Sequence, residues 1–285
     1  MAIQIETFFD SQTDTFSFVV TDLPTKEAVV IDPVMDFDLA SGKLSTASAD
    51  AILDYIRENQ LSILYLLETH IHADHLTASH YLQQHCGGKI TIGANIQKVL
   101  DHWIPLYHTD IDPSGQQFDL RLHEGDTLTF GETTLTVLHT PGHTPACSTY
   151  RIEDALFVGD TLFLPDVGTA RTDFPGGSAK DLYHSIQKLL AHPPQTRIFS
   201  CHDYPTGDRR ASPESTVAEQ RRDNILIHEG ISELEFVTAR NQRDENKAVP
   251  KLLLPALQYN LRAGRLGKAE ENGLQYFKIP VGLFQ

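Results

Sequence analysis

The run Thr69–His75 (THIHADH) holds three imidazoles and a carboxylate within six residues, in the spacing H-x-H-x-D-H. Neutral imidazole and carboxylate are ordinary ligands of zinc and of iron(II). Four such groups in one short turn (His70, His72, Asp74 and His75) point to a metal site rather than a histidine-rich surface turn. On extended chain His70 and His72 would point the same way, because side chains alternate. Three further turns carry metal-competent residues: His143 in Pro141-Gly142-His143-Thr144-Pro145, Asp160 in Gly159-Asp160-Thr161, and His202 in His202-Asp203-Tyr204. A lone histidine in a turn is most often a solvated surface residue, and a Gly-Asp turn alone is more often structural. The company of the first run makes His143 a candidate ligand. For His202, a packed interior histidine is a real competitor.

Each of these turns ends an apolar run that reads as a buried strand: Leu61–Glu68, Thr133–Thr140, Leu156–Val158 and Arg197–Cys201. The Pro-Gly turn lets the backbone bend sharply and aim His143. Further strands are expected at Ile3–Phe9, Thr15–Thr21, Glu27–Ile31 (ending in Asp32-Pro33), Lys89–Ile92, Thr127–Phe130 and Ser148–Ile152, with a last one at Tyr276–Ile279. Helices are expected over Ala49–Asn59, with Asp50 or Ser48 placed to cap it, and over Leu76–Cys86, stopped by Gly87-Gly88. Others are Ala94–Leu100, Asp181–Leu190 and Glu214–His228. Asp101–Asp119, with Trp103, Tyr107 and two prolines, reads as a long functional loop. Thr238–Lys247 reads as a polar connection. Strands in groups with helices between them fit stacked layers around a sheet core, an α/β class.

Composition narrows the partners. The chain has 285 residues, 40% of them hydrophobic, enough for a full core. Its 23 basic and 38 acidic residues give a net charge of −15, which argues against bulk electrostatic binding of nucleic acid. No apolar run approaches the roughly 18–20 residues of a membrane span. The N-terminal MAIQIETFFDSQTDT lacks the basic and apolar regions of a secretory signal. Three cysteines, Cys86, Cys147 and Cys201, form no close pair. An odd, sparse set is expected in a reducing compartment, so a cytoplasmic location is expected.

Thr69–His75, Pro141–Thr144, Gly159-Asp160 and His202 resemble the ordered motifs of the metallo-β-lactamase superfamily, over residues 15 to 205. The resemblance implies an αββα sandwich with a metal site at one edge of two facing sheets. It implies a core domain over 1–205 and a mainly helical C-terminal extension over 206–285 that completes the sandwich and the substrate pocket. Finer text, "THIHADHLTAS", "HTPGHTPACSTY", "VGDTLF", "GTARTDFPGG", "CHDY", "ESTVAEQRRDN" and "PALQYNLRAG", resembles the persulfide dioxygenases, which share these motifs with glyoxalase II.

That family implies one iron(II) per chain on His70, His143 and Asp160. His72, Asp74, His75 and His202 would be remnants of a two-metal hydrolase site that orient ligands or line water. Glutathione persulfide and dioxygen would be the substrates, giving sulfite and thiol. A glutathione-like substrate carries carboxylates, which arginine binds bidentately. Arg171 is one candidate, with an ion pair to Asp173 as the alternative. Arg262 is another, in the acid-free basic stretch Lys251–Lys268, with a solvated helix face as the alternative. Tyr204 is a candidate donor to bound substrate, or a core tyrosine. Cys147 and Cys201 read as buried hydrophobes rather than nucleophiles, and His139 as a packed strand residue.

All seven hydrolase ligands are present, so residue count equally allows two zinc ions and thioester hydrolysis. A non-catalytic persulfide or metal sensor is a third reading, against which stands the absence of a recognisable DNA-binding module. A homodimer is the default expectation for assembly.

Overall fold

The computed structural model describes residues 3–205 and 208–282. In chain order the strands are β1 (Ile3–Asp10), β2 (Thr15–Asp22), β3 (Glu27–Ile31), β4 (Val34–Asp38), β5 (Lys43–Ser45), β6 (Ser62–Glu68), β7 (Leu76–Thr77), β8 (Lys89–Gly93), β9 (Leu120–Leu122), β10 (Thr127–Phe130), β11 (Thr133–His139), β12 (Ser148–Ile152), β13 (Ala155–Gly159), β14 (Arg197–Ser200) and β15 (Glu214–Thr216). The helices are α1 (Ala47–Glu58), α2 (Ser79–Cys86), α3 (Ile96–Tyr107), α4 (Ala179–Leu190), α5 (Val217–Asp223), α6 (Glu233–Asp244) and α7 (Leu253–Asn260).

Two six-stranded sheets, ordered β1-β2-β3-β6-β8-β9 and β10-β11-β12-β13-β14-β15, face each other. Strand periodicity builds the layers. On β3, Val29 and Ile31 enter the core between the sheets, while Ala28 and Val30 join the outer core with Ile52 and Leu53 of α1. On β13, Phe157 faces inward, and Leu156 and Val158 pack outward with Leu182 and Ile186 of α4. Phe18, Phe157 and Phe199 fill the centre, with Phe157 and Phe199 stacked at 5.1 Å. The result is the expected αββα sandwich.

The extension adds β15 to the edge of the second sheet, pairing with β14, and three helices. Phe236 of α6 joins the α4 layer, whereas Leu253, Ala256 and Leu257 of α7 join the opposite layer with α1 and α3. No helix among the described residues is long and apolar enough to cross a membrane.

Several local expectations are corrected. Residues 101–107 continue α3 rather than starting a loop, because Val99, Leu100, Trp103 and Tyr107 make one buried face and Pro105 falls in the last turn. Residues 214–228 are not one helix. Glu214–Thr216 is strand, a Thr216–Glu219 capping box starts α5, and Asn224 turns extended. Thr238–Lys247 is mostly helical, since a Ser232–Glu235 capping box starts α6. The residue that precedes α1 as its N-cap is Thr46, without a side-chain cap bond; Ser48 bonds Asp36 instead. Tyr276–Ile279 forms no strand, because the Gln258 side-chain amide takes the place of a partner, bonding both the N–H and the carbonyl of Lys278 at 2.8 Å.

Candidate metal centre

The site lies where β6, β11, β13 and β14 end together. β6 delivers His70 and His72, the turn after β11 delivers His143, β13 delivers Asp160, and β14 delivers His202. Two glycines allow this convergence. Gly159 has φ +53°, and a Cβ there would lie 2.4 Å from Thr69 Oγ1, so the Asp160 turn presses directly on the His70 turn. Gly142, at φ +146°, sits against the backbone of Leu182 at the start of α4.

Ligand atoms of His70, His143 and Asp160 lie within 4.8 Å of one another, and those of His72, Asp74, His75 and His202 form a second such group. His70 Nε2 and His143 Nε2 stand 3.8 and 3.6 Å from Asp160 Oδ2. His202 Nε2 is 2.9 Å from Asp74 Oδ2 and 3.5 Å from Asp160 Oδ1, and so links the two groups. The structure thus brings together every histidine and carboxylate of the sequence-derived ligand set.

The outward atoms of these rings are anchored. His143 Nδ1 donates to the Arg171 carbonyl at 2.8 Å. His70 Nδ1 sits 3.1 Å from Thr69 Oγ1, which donates to Asp32 at 2.8 Å. His202 Nδ1 lies 3.1 Å from the carbonyl of Asp14. Such anchoring fixes the tautomer and ring orientation of a ligating histidine. The inward atoms His70 Nε2, His72 Nδ1, His75 Nε2 and Asp160 Oδ1 are buried without a hydrogen-bond partner. Buried polar atoms are rarely left unpaired, so these orphans, divided between the two groups, fit metal binding.

Electrostatics divide the rings. Burial, reinforced by His72 and His143, holds the His70 imidazole well below its ordinary pKa, so it is neutral and able to ligate. Burial also lowers His75. His72 differs: burial opposes its cation, but the Asp32 carboxylate 3.0 Å away and Glu68 beyond it raise its pKa to about 10. Burial likewise disfavours the charged forms of Asp74 and His202, yet their mutual attraction wins, lowering the acid and raising the base.

Sequence reasoning missed the residues that hold the turn. Asp32, at φ +49° at the end of β3, accepts from Thr69 N and Thr69 Oγ1 and contacts His72. Glu68 accepts from Thr77 and Ser79. Asn260 at the end of α7 donates to the carbonyls of His72 and His75 and accepts from Thr77 N. The Asp-Pro pair closing a strand was a signal for Asp32; the Asn of "PALQYNLRAG" was the signal for Asn260.

A cavity of about 240 Å³ opens beside the centre, walled by Asp74, His143, Asp160, Phe163, Arg171, Phe174, Tyr204 and Lys247 among others. Tyr204 stacks on His202, ring centroids 5.8 Å apart at 11°, with Phe163 edge-on. Arg171 reaches the wall, but its guanidinium already pairs bidentately with Asp173 at 2.6 Å and donates to the Ala248 carbonyl at 2.8 Å. Arg262 is not brought here. It pairs with Asp110 at 2.7 Å, beside another cavity near Lys268 and Lys278. Lys247 lines the metal-side cavity without an ion pair among the described residues, and no sequence signal singled it out. Cys147 and Cys201 are buried, and His139 bonds Asn95 and Leu122, as expected of packed residues.

The model of the metallo-beta-lactamase superfamily matches residues 11–202. The chain is 45% identical over 289 residues to a Burkholderia pseudomallei protein named "Probable metallo-hydrolase", covering 97% of this chain and 98% of that one. It is 36% identical over 265 residues to human persulfide dioxygenase ETHE1, mitochondrial, covering 92% and 89%. The crystal structure of ETHE1 from Myxococcus xanthus superimposes with a TM-score of 0.75 at 28% identity, covering 92% of this chain and all of that one. With its metal-competent cluster at the sheet ends, the chain belongs to the metallo-beta-lactamase superfamily and is an ETHE1-like enzyme of it.

Proposed function

We propose that this enzyme is a persulfide dioxygenase that oxidises the terminal sulfur of glutathione persulfide at one iron(II) held by His70, His143 and Asp160. The observation that carries the reading is this buried group of two histidines and one carboxylate, in a chain 36% identical to a protein named persulfide dioxygenase. Two histidines and a carboxylate with open positions are the donor set of non-haem iron(II) oxygenases. When bound, iron(II) supplies the redox chemistry by which dioxygen oxidises sulfur. The overall balance is one persulfide, one dioxygen and one water giving one thiol, one sulfite and two protons.

The chain's own residues orient and exclude. Arg171 O fixes His143, and Thr69, with Asp32 behind it, fixes His70. His202 braces Asp74 and Asp160, while Phe163 and Phe174 make the cavity wall partly apolar. Asp74 and Tyr204 line the cavity beside the reacting centre, and His72 and His75 stand buried with Asp74 and His202 in the second group. Lys247, which lines the cavity without an ion pair among the described residues, supplies a positive charge for a substrate carboxylate, with the Asp173-paired Arg171 beside it. The proposal includes a homodimer in the cytoplasm, acting without nucleic acid or membrane.

A second reading, a two-metal thioester hydrolase, is favoured by the intact His72–Asp74–His75–His202 group and by the relative named as a metallo-hydrolase. Metal analysis of anaerobically purified protein, with oxygen uptake on adding glutathione persulfide, separates the two. About one iron per chain and uptake of one dioxygen per persulfide are expected. Two zinc ions, thioester hydrolysis and no uptake would overturn the dioxygenase reading.

A further inference from the structure

We infer that a small apolar cavity behind His143 is a holding site for dioxygen. The cavity, of about 20 Å³, is walled by Val99 and Trp103 of α3 and by Leu253 and Leu257 of α7, all buried. It shares Ala73, His143 and Phe174 with the larger cavity at the metal centre, so the two are neighbours across one layer of side chains. One water-sized molecule needs roughly 10–15 Å³, so this space takes a small molecule and no more.

Its wall is mostly apolar and offers water few partners beyond the Trp103 indole N–H. A buried water needs two to four polar partners. The polar groups of His143 and Thr144 at the edge are already engaged: His143 Nδ1 donates to Arg171 O, and Thr144 Oγ1 contacts Cys147 Sγ at 3.1 Å and accepts from Ala146 N at 3.2 Å. Dioxygen is a small molecule without a dipole and asks for none of these bonds. The larger cavity adds charged groups, Asp74, Arg171 and Lys247, to its wall and suits a charged substrate. With that substrate in place, a separate apolar space is where the second reactant can wait. Phe174 forms the partition. Its ring lies edge-on to His143 at 5.5 Å, with the Arg171 guanidinium 4.8 Å over its face.

Dioxygen as the occupant rests on the dioxygenase reading, whereas the cavity does not. The test therefore begins with xenon, which occupies dry apolar cavities. Crystals of the enzyme pressurised with xenon should show an atom between Val99, Trp103, Leu253 and Leu257. Val99→Phe, or the milder Val99→Ile if the first does not fold, should remove the xenon. Either change should raise KM for dioxygen severalfold and leave KM for glutathione persulfide unchanged. An ordered water in the wild-type cavity, or no xenon there, overturns the proposal while leaving oxygen uptake intact. Bound xenon with an unchanged KM for dioxygen in the filled variants also overturns it. Bound xenon in a chain that consumes no dioxygen defeats the functional reading, and with it dioxygen as the occupant.

Discussion

The side-chain amide of Asn260 lies 2.8 Å from the carbonyl oxygen of His72, across 188 residues of sequence. The same nitrogen donates to His75 O at 2.9 Å, and Asn260 Oδ1 accepts from Thr77 N at 2.8 Å. One buried side chain thus closes three backbone bonds of the metal-binding turn. Asn260→Ala should orphan two buried carbonyls and one N–H, at about 1–3 kcal/mol for each group left unpaired. A lower Tm and metal affinity weakened roughly 10–100-fold are expected, read by thermal unfolding and chelator competition. Unchanged metal affinity would mean that the turn holds its shape without α7.

His202 bridges Asp74 and Asp160 while its Nδ1 rests on the Asp14 carbonyl. With one metal on His70, His143 and Asp160, His202→Ala should reduce activity roughly 10–100-fold yet keep most of the metal. Alanine at His70, His143 or Asp160 should instead empty the protein of metal. Parallel metal analysis and kcat measurements decide this. Complete metal loss on changing His202 would make it a direct ligand and favour the two-metal reading.

Arg171 and Lys247 line the same wall but are engaged differently. Lys247→Ala should raise KM for an anionic persulfide by roughly tenfold to a hundredfold, the on the order of 1.5–3 kcal/mol of a charged hydrogen bond, with metal content unchanged. Arg171→Ala should raise KM and also loosen the metal, because Arg171 pins the turn whose carbonyl orients His143. Arg171→Lys should recover only part of this, since an ammonium lacks the bidentate geometry. The KM and metal titrations of the three variants check the split.

The thiols should be inert in the native state. Burial pushes Cys147 up to about 12 and Cys201 well above the usual thiol range, while half-buried Cys86 is raised to about 11. A raised pKa keeps the thiol protonated through mildly alkaline pH, and the thiolate is the reactive form. Ellman's reagent should label Cys86 slowly and the other two only in denaturant. Fast native labelling of Cys147 would reopen a nucleophilic role.

The sequence by itself determined the ligand chemistry and the layered class. H-x-H-x-D-H after an apolar run, a histidine after Pro-Gly and an aspartate after Gly are local patterns, set by strand periodicity and turn conformation, and both work over a few residues. On β3 and β13, both continuous apolar runs, only the packing decided which residues face each layer. The tertiary structure decided everything that depends on distant segments meeting. Asp32 and Asn260 brace the metal-binding turn from 40 and 188 residues away in sequence. Arg171 and Arg262, equal as basic residues in the sequence, part company because Asp173 holds one at the cavity and Asp110 holds the other beside a different one. Pro105 within α3, and the Gln258 amide standing in for a strand beside Lys278, follow the same rule. Local propensity proposes an element, and burial and hydrogen-bond satisfaction across the fold decide whether it forms.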